Sequence, residues 1–289
     1  MDRNREIEMI LPTYFQFESS TKCSGNCVFC PHDKVDRPNM SNDVFKVILD
    51  KIIPHVTDVC PFLYGEPAED KMLFPRIKQI KEKNPNARII IYSNMAKWTQ
   101  KGIRELVNVD HLKISFYGPT PELYEKYQPG FNWFKTRANI RYLLDYMLAT
   151  GSKKPYITMH YLITKDLMET FDRFNEDWEK WIRIGLVYFD TFHGTIKDLS
   201  DDSITEKYFK LRTERKGCSR LHNSLNILST GDVVPCCIDF HPEMVMGNIL
   251  EEDPLAIWNG SKYQALREDH NHHKFGGVCK NCMVWKWSV

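Results

Sequence analysis

Through its first two thirds the chain alternates short apolar runs with longer stretches whose apolar residues recur at helical spacing. The pattern predicts strands over 12–18, 57–63, 88–92, 111–116, 156–163 and 186–189. It predicts helices over 41–53, 70–83, 98–107, 136–150 and 169–184. In the first of these, Ser41 or Asn42 opens the helix and Val44, Val47, Ile48 and Ile52 share a face. Gly151 closes the helix over 136–150. Strands alternating with helices build parallel βαβ units. Six such units describe an α/β fold, a partial TIM-like (β/α)6 barrel, with its chemistry at the C-terminal ends of the strands.

The pattern changes near residue 195. Residues 196–217 are polar and charged and read as a bridge. Beyond it, apolar runs over 225–228 and 233–234 flank Ser229-Thr230-Gly231-Asp232 and predict a hairpin. A short helix is expected over 255–267. The chain thus divides into a barrel over 1–195, a bridge over 196–217 and a small metal-stapled module over 218–289.

Composition narrows the function. Hydrophobic residues make up 42% and charged residues 27%, the balance of an ordinary globular protein. The net charge of +1 gives no electrostatic basis for binding nucleic acid or an anionic membrane. No apolar run approaches the roughly 20 residues of a membrane span. The charged start, Met1-Asp2-Arg3-Asn4-Arg5-Glu6, is unlike a signal peptide, so a cytoplasmic location is expected. Nine cysteines in such a chain point to metal or redox chemistry rather than to a disulfide framework.

Those cysteines are grouped. Cys23, Cys27 and Cys30 follow the first predicted strand directly, where a barrel places its site. A cubane iron–sulfur cluster that only carries electrons is held by four thiolates. Three leave one iron open to a small ligand. A zinc site with His32 as fourth ligand, or a disulfide loop, would use the same residues. Later in the chain Cys218 is followed by twelve residues, Gly231, four residues and Cys236, and then by Cys279 and Cys282. Four thiolates suit a second cluster and equally a zinc ribbon. Cys237 adjoins Cys236 and should point to the opposite side of its strand. Cys60, early in a strand, reads as core.

The spacing of Cys23, Cys27 and Cys30, with Phe29 just before the last, resembles the radical S-adenosylmethionine (SAM) superfamily. The C-terminal cysteines resemble its SPASM/twitch module, in the shorter twitch form. So do the segments Pro235-Cys236-Cys237-Ile238-Asp239-Phe240, Met246-Gly247-Asn248-Ile249 and Ile257-Trp258-Asn259-Gly260. The likeness covers almost the whole chain. It implies two [4Fe-4S] clusters, one on Cys23, Cys27 and Cys30 and an auxiliary one on Cys218, Cys236, Cys279 and Cys282. It implies SAM on the open iron, cleaved to methionine and a 5′-deoxyadenosyl radical, and an electron donor of flavodoxin or ferredoxin type. In Tyr64-Gly65-Glu66-Pro67, Gly65 and Glu66 would meet the SAM amino group; Tyr64, where the family commonly has another glycine, and Phe29 are SAM-binding candidates with them. Glycine lets backbone approach a ligand, and Glu66 can face an ammonium. Ser93, Asn94 and Ser115, at strand ends, match positions set against the SAM ribose or carboxylate. Each also has a purely structural reading, as a turn, a cap or an Asx turn.

Within the superfamily the likeness runs to members that oxidise a secondary alcohol of an aminocyclitol. The strands that would line the substrate pocket do not follow that likeness, so the expected substrate is a small polar molecule of sugar or aminocyclitol type. Two reactions fit. In a dehydrogenase the radical takes a carbinol hydrogen, a base takes the hydroxyl proton, and the auxiliary cluster takes the remaining electron. Arg220 and His222 are candidates for the base. In a redox-neutral epimerase a thiol, Cys237, returns a hydrogen atom. Modification of a ribosomal peptide is a third reading; about ten residues precede the first strand, which leaves little room for a docking domain. Tyr117, Tyr124, Tyr127, Trp133, Phe192 and His193 could line a polar pocket or simply pack. His160 and Tyr161 could point into the barrel. No glycine-rich turn follows the first strand, so an ordinary Rossmann-type methyltransferase is not supported.

Overall fold

A computed structural model describes residues 10–30, 35–162, 164–187, 214–280 and 282, with the backbone alone for 184–187. The strands β1 (Tyr14–Phe17), β2 (Asp58–Cys60), β3 (Arg88–Ser93), β4 (His111–Ser115), β5 (Tyr156–Leu162) and β6 (Arg183–Val187) lie side by side in chain order, all parallel. Between them run α1 (Asn42–Lys51), α2 (Leu73–Lys83), α3 (Gln100–Glu105), α4 (Pro121–Tyr127), α5 (Trp133–Thr150), α6 (Lys165–Met168) and α7 (Phe171–Trp178). The α/β class and the parallel sheet read from the sequence are those observed.

Local chemistry explains the boundaries. Ser41, Thr99, Thr120 and Asn132 each cap a helix by accepting a backbone N–H. Gly151 ends α5 in the left-handed conformation at φ 68°. Three expectations need correction. The helix α4 falls between the elements over 111–116 and 136–150, where the pattern predicts none; Pro121 occupies its first turn, where the missing N–H costs nothing. The helix expected to reach 184 ends at Trp178, whose carbonyl accepts from both Trp181 and Ile182, and β6 starts at Arg183. The single helix over 255–267 is two, Pro254–Asn259 and Ser261–Asn271, divided at Gly260, whose backbone is extended.

The sheet does not end at β1. The free edge of β1 pairs in parallel with β7 (Ser224–Ile227), which forms a hairpin with β8 (Asp232–Val234) and then meets β9 (Gly247–Asn248). One nine-stranded sheet therefore carries both the barrel strands and the C-terminal hairpin. Residues 196–213 of the expected bridge lie outside the described residues.

One large core backs most of the sheet, and Leu63, Tyr64, Leu228 and Val234 form a second, smaller cluster. Leu112 and Ile114 are fully buried against the helices, while His111, Lys113 and Ser115 alternate onto the inner face and stay half-buried. Asp110 ties the N-terminal ends together. Its carboxylate accepts from Ile89 N and from Lys81 and Lys154, and its backbone joins β3 to β5. No helix among the described residues is long and apolar enough to cross a membrane.

Candidate active site

The cysteine loop leaves β1 and is clamped from two sides. On one side Glu66 N donates to Lys22 O at 2.7 Å, and the Glu69 carboxylate accepts from Ser24 N at 2.7 Å and Ser24 Oγ at 2.8 Å. A Cβ on Gly65 would lie 2.3 Å from Ser20 O, so only glycine permits this approach. On the other side Val28 N and Asn26 N donate to Tyr127 O and Pro129 O, and Phe29 packs edge-on against Tyr117.

Burial pushes the Cys23 thiol up to about 12 and the Cys27 thiol higher still, and the three thiols of the loop oppose one another's ionisation. Such a set asks for a cationic centre, which an iron–sulfur core supplies on binding thiolates. None of the nine cysteines is in a disulfide. Among the described residues no three cysteine, histidine or carboxylate groups gather around one point as a single metal ion requires. His32 lies outside the described residues.

Glu66, Ser93 and Asn94, named separately from the sequence, come together. Ser93 Oγ donates to Glu66 Oε1 at 2.6 Å and accepts from Met95 N and Trp98 Nε1. Asn94 N donates to Glu66 Oε2 at 3.0 Å, while Asn94 Oδ1 accepts from Ala96 N. Burial pushes the Glu66 carboxyl up to about 7 against the lowering effect of these bonds. The trio is a buried knot at the C-terminal end of β3, and the Ser93 hydroxyl is spent inside it. Ser115 hydrogen-bonds the Tyr117 hydroxyl.

Gln128, unremarked in the sequence, is fully buried. It donates to Ser115 O, accepts from Tyr117 N and hydrogen-bonds the Cys27 thiol. No periodicity marks it, because it sits in the turn after α4.

The Tyr64 side chain turns away from this knot. Its hydroxyl donates to Cys237 O at 2.9 Å, its ring packs on Phe240, and Arg37 lies over it. Tyr64 thus latches the barrel to the C-terminal module rather than facing the cysteine loop.

Polar side chains fill the inner face of the sheet. Lys113 Nζ donates to Tyr92 Oη at 2.9 Å, and the His160 ring meets the Tyr92 ring at 5.9 Å. Burial and the Lys113 charge push His160 down to about 4, so its imidazole is neutral at ordinary pH. Tyr161 points the other way and bonds Leu167 O. Cys60 is buried beside Tyr14. Lys113 was legible in the alternation of β4 but was not singled out.

Arg220 and His222 share a one-turn helix, Arg220–Asn223, and diverge. Arg220 Nη1 donates to Cys237 Sγ at 2.9 Å. The Cys237 and neighbouring thiol charges hold this guanidinium even more firmly protonated than usual, so it cannot take a proton. Arg220 is thus engaged with Cys237, and His222 is exposed and faces solvent. Of the two readings of the aromatics, packing holds for those described: Tyr117, Tyr124 and Tyr127 are core, and Trp133 donates to Gly118 O. Phe192 and His193 lie outside the described residues.

In the C-terminal module Cys218, Cys236, Cys279 and Cys282 line one cavity. Burial, then Cys282 and Cys218, push the Cys279 thiol up to about 11. Arg215 stacks on Phe275 and donates to Cys279 O, which ties the tail to the segment before Cys218. Four thiols lining one cavity fit an iron–sulfur cluster as the loop of three does.

Comparison with known proteins agrees with this geometry. Residues 17–176 match the family model of the radical SAM superfamily, and residues 218–283 match that of an iron–sulfur cluster-binding domain, SPASM. The chain is 22% identical over 275 residues to the S-adenosyl-L-methionine-dependent 2-deoxy-scyllo-inosamine dehydrogenase of Niallia circulans, covering 92% of this chain and 91% of that protein. Its fold resembles BtrN in complex with AdoMet and 2-DOIA, with a TM-score of 0.64 at 19% identity over 94% and 93% of the two chains. It also resembles Streptococcus suis SuiB bound to the precursor peptide SuiA, with a TM-score of 0.70 at 17% identity over 89% and 67%. With the family model spanning more than half its length and an auxiliary-cluster model matching its C-terminal module, this chain belongs to the radical SAM superfamily, whose cofactors are SAM and iron–sulfur clusters.

Proposed function

We propose that this enzyme oxidises an alcohol of a small polar substrate held on the inner face of the barrel. The observation that carries the reading is the position of β1. The cysteine loop leaves its C-terminal end, while its edge pairs with β7, the strand whose hairpin leads to Cys236. A substrate on this face lies between the two cysteine sets. When bound, SAM with the first cluster supplies hydrogen-atom abstraction, and the auxiliary cluster on Cys218, Cys236, Cys279 and Cys282 accepts an electron.

The chain's own residues supply the rest. Lys113 and Tyr92 offer donors to substrate hydroxyls. His160, neutral and with no hydrogen-bond partner among the described residues, accepts a hydrogen bond from the substrate hydroxyl, whose proton passes to water. One hydrogen atom, one proton and one electron then leave the carbinol, which becomes a ketone. Arg220 occupies the Cys237 sulfur, which disfavours that residue as a hydrogen-atom donor and hence the epimerase reading. Gly65, Glu66 and Asn94 build the wall on which SAM would rest. The dehydrogenase relative supports the same class of reaction.

The test is an anaerobic reaction in heavy water with reductant of flavodoxin type, SAM and a small-metabolite pool. A product two mass units lighter, formed in step with 5′-deoxyadenosine, supports oxidation. A product one unit heavier that disappears in Cys237→Ala supports epimerisation instead.

A further inference from the structure

His270 walls the cavity of the four C-terminal cysteines. It projects from the long C-terminal helix Ser261–Asn271 and is 1% exposed. Its Nδ1 is 3.3 Å from the backbone N of Cys218, which can only donate. Nδ1 therefore carries no proton, and a neutral ring must carry it on Nε2. Nε2 is buried and has no hydrogen-bond partner among the described residues. The ring is not free to turn: Phe275 packs edge-on against it at 4.9 Å, and the Cys218 bond holds the opposite nitrogen. A buried donor left unpaired calls for an acceptor that the polypeptide does not provide.

We infer that His270 Nε2–H is a donor to a sulfur atom of the auxiliary cluster, and that it raises the reduction potential of that cluster. This inference rests on the assignment of Cys218, Cys236, Cys279 and Cys282 as ligands. The physical reason is electrostatic. Reduction adds negative charge that is shared by the sulfurs, and an N–H dipole aimed at a sulfur stabilises the reduced form more than the oxidised one. A cluster that takes an electron from a substrate radical benefits from such a donor. His270 is thus a positioning residue: it touches the electron acceptor and not the substrate.

The experiment uses the full chain with Cys23, Cys27 and Cys30 replaced by alanine, so that only the auxiliary cluster contributes. Its potential is measured by redox titration followed by electron paramagnetic resonance, with His270 intact and in His270→Phe and His270→Gln. We expect His270→Phe to be about tenfold harder to reduce, about 59 mV for one electron. His270→Gln, which retains an N–H donor, should recover part of that shift. In the same protein grown with 15N-histidine and His270 intact, the reduced cluster should show a weak nitrogen coupling, of the size of a hydrogen bond. An unchanged potential in a His270→Phe chain with full iron content overturns the inference. So does the absence of any histidine coupling, or a coupling large enough for a direct iron–nitrogen bond. The nitrogen measurement needs no variant at His270 and stands even if His270→Phe fails to fold. A triple-alanine chain that folds but binds no iron removes the ligand assignment itself, and the inference with it.

Discussion

At the scale of single residues, the site depends on a few close approaches. Gly65 faces Ser20 O so closely that a methyl group must displace the cysteine loop. Gly65→Ala should lower stability by about 1–3 kcal/mol. It should also cut iron loading of the first cluster while the auxiliary cluster keeps its own, read by iron analysis of the purified protein. Lys113 makes its hydrogen bond to Tyr92 on the inner face and no ion pair among the described residues. Lys113→Met should raise KM for the substrate several-fold and leave the slow, substrate-free cleavage of SAM unchanged, measured as 5′-deoxyadenosine formed. Equal KM values would remove Lys113 from the pocket. Cys23, Cys27 and Cys30 were legible in the sequence because their spacing lies within one loop. Arg220 was legible as a polar residue near a cysteine, but its role was not, because its partner Cys237 arrives from the turn after β8.

At the scale of elements, turns between helices do as much as the strands. Gln128, after α4, joins Ser115 O, Tyr117 N and the Cys27 thiol. Gln128→Leu leaves a buried amide and a carbonyl without partners and should cost about 1–3 kcal/mol in urea unfolding. The first cluster should also become easier to strip with a chelator. Asp110 does the corresponding work at the opposite end of the sheet. Burial pushes its carboxyl up, but Lys154, Lys81 and Ile89 N outweigh that and hold it below its ordinary 3.8. The folded state therefore binds the proton less readily than the unfolded one. That stabilisation is complete above the ordinary value and is lost as pH falls through the lowered one. Asp110→Asn should be less stable by about 1–2 kcal/mol at pH 7, the lysines being partly exposed and screened. The gap should close as pH falls below 3.8. Urea titrations at several pH values measure it.

At the scale of the whole molecule, the sheet is a single body through which the barrel and the auxiliary module share β1 and β7. Tyr64 reinforces the join with its bond to Cys237 O, and Arg37 does so through Glu18 and Phe240 O. The two cysteine sets should nevertheless load separately. Cys218→Ala with Cys279→Ala should reduce iron from two clusters per chain to one, and SAM cleavage to 5′-deoxyadenosine should persist while substrate oxidation stops. Loss of SAM cleavage as well would show that the auxiliary module holds the barrel in shape.

Alternating strands and helices, the two groups of cysteines and the class of cofactor were open to reading from the sequence alone. Each depends on neighbours close in the chain: a period of apolar residues, or thiols spaced along one loop. The parallel pairing of β1 with β7, the latch at Tyr64, the capture of Cys237 by Arg220 and the aim of His270 were decided only by the tertiary structure. Their partners stand far apart along the chain, and which way a side chain points there follows from packing, which no local pattern of residues records.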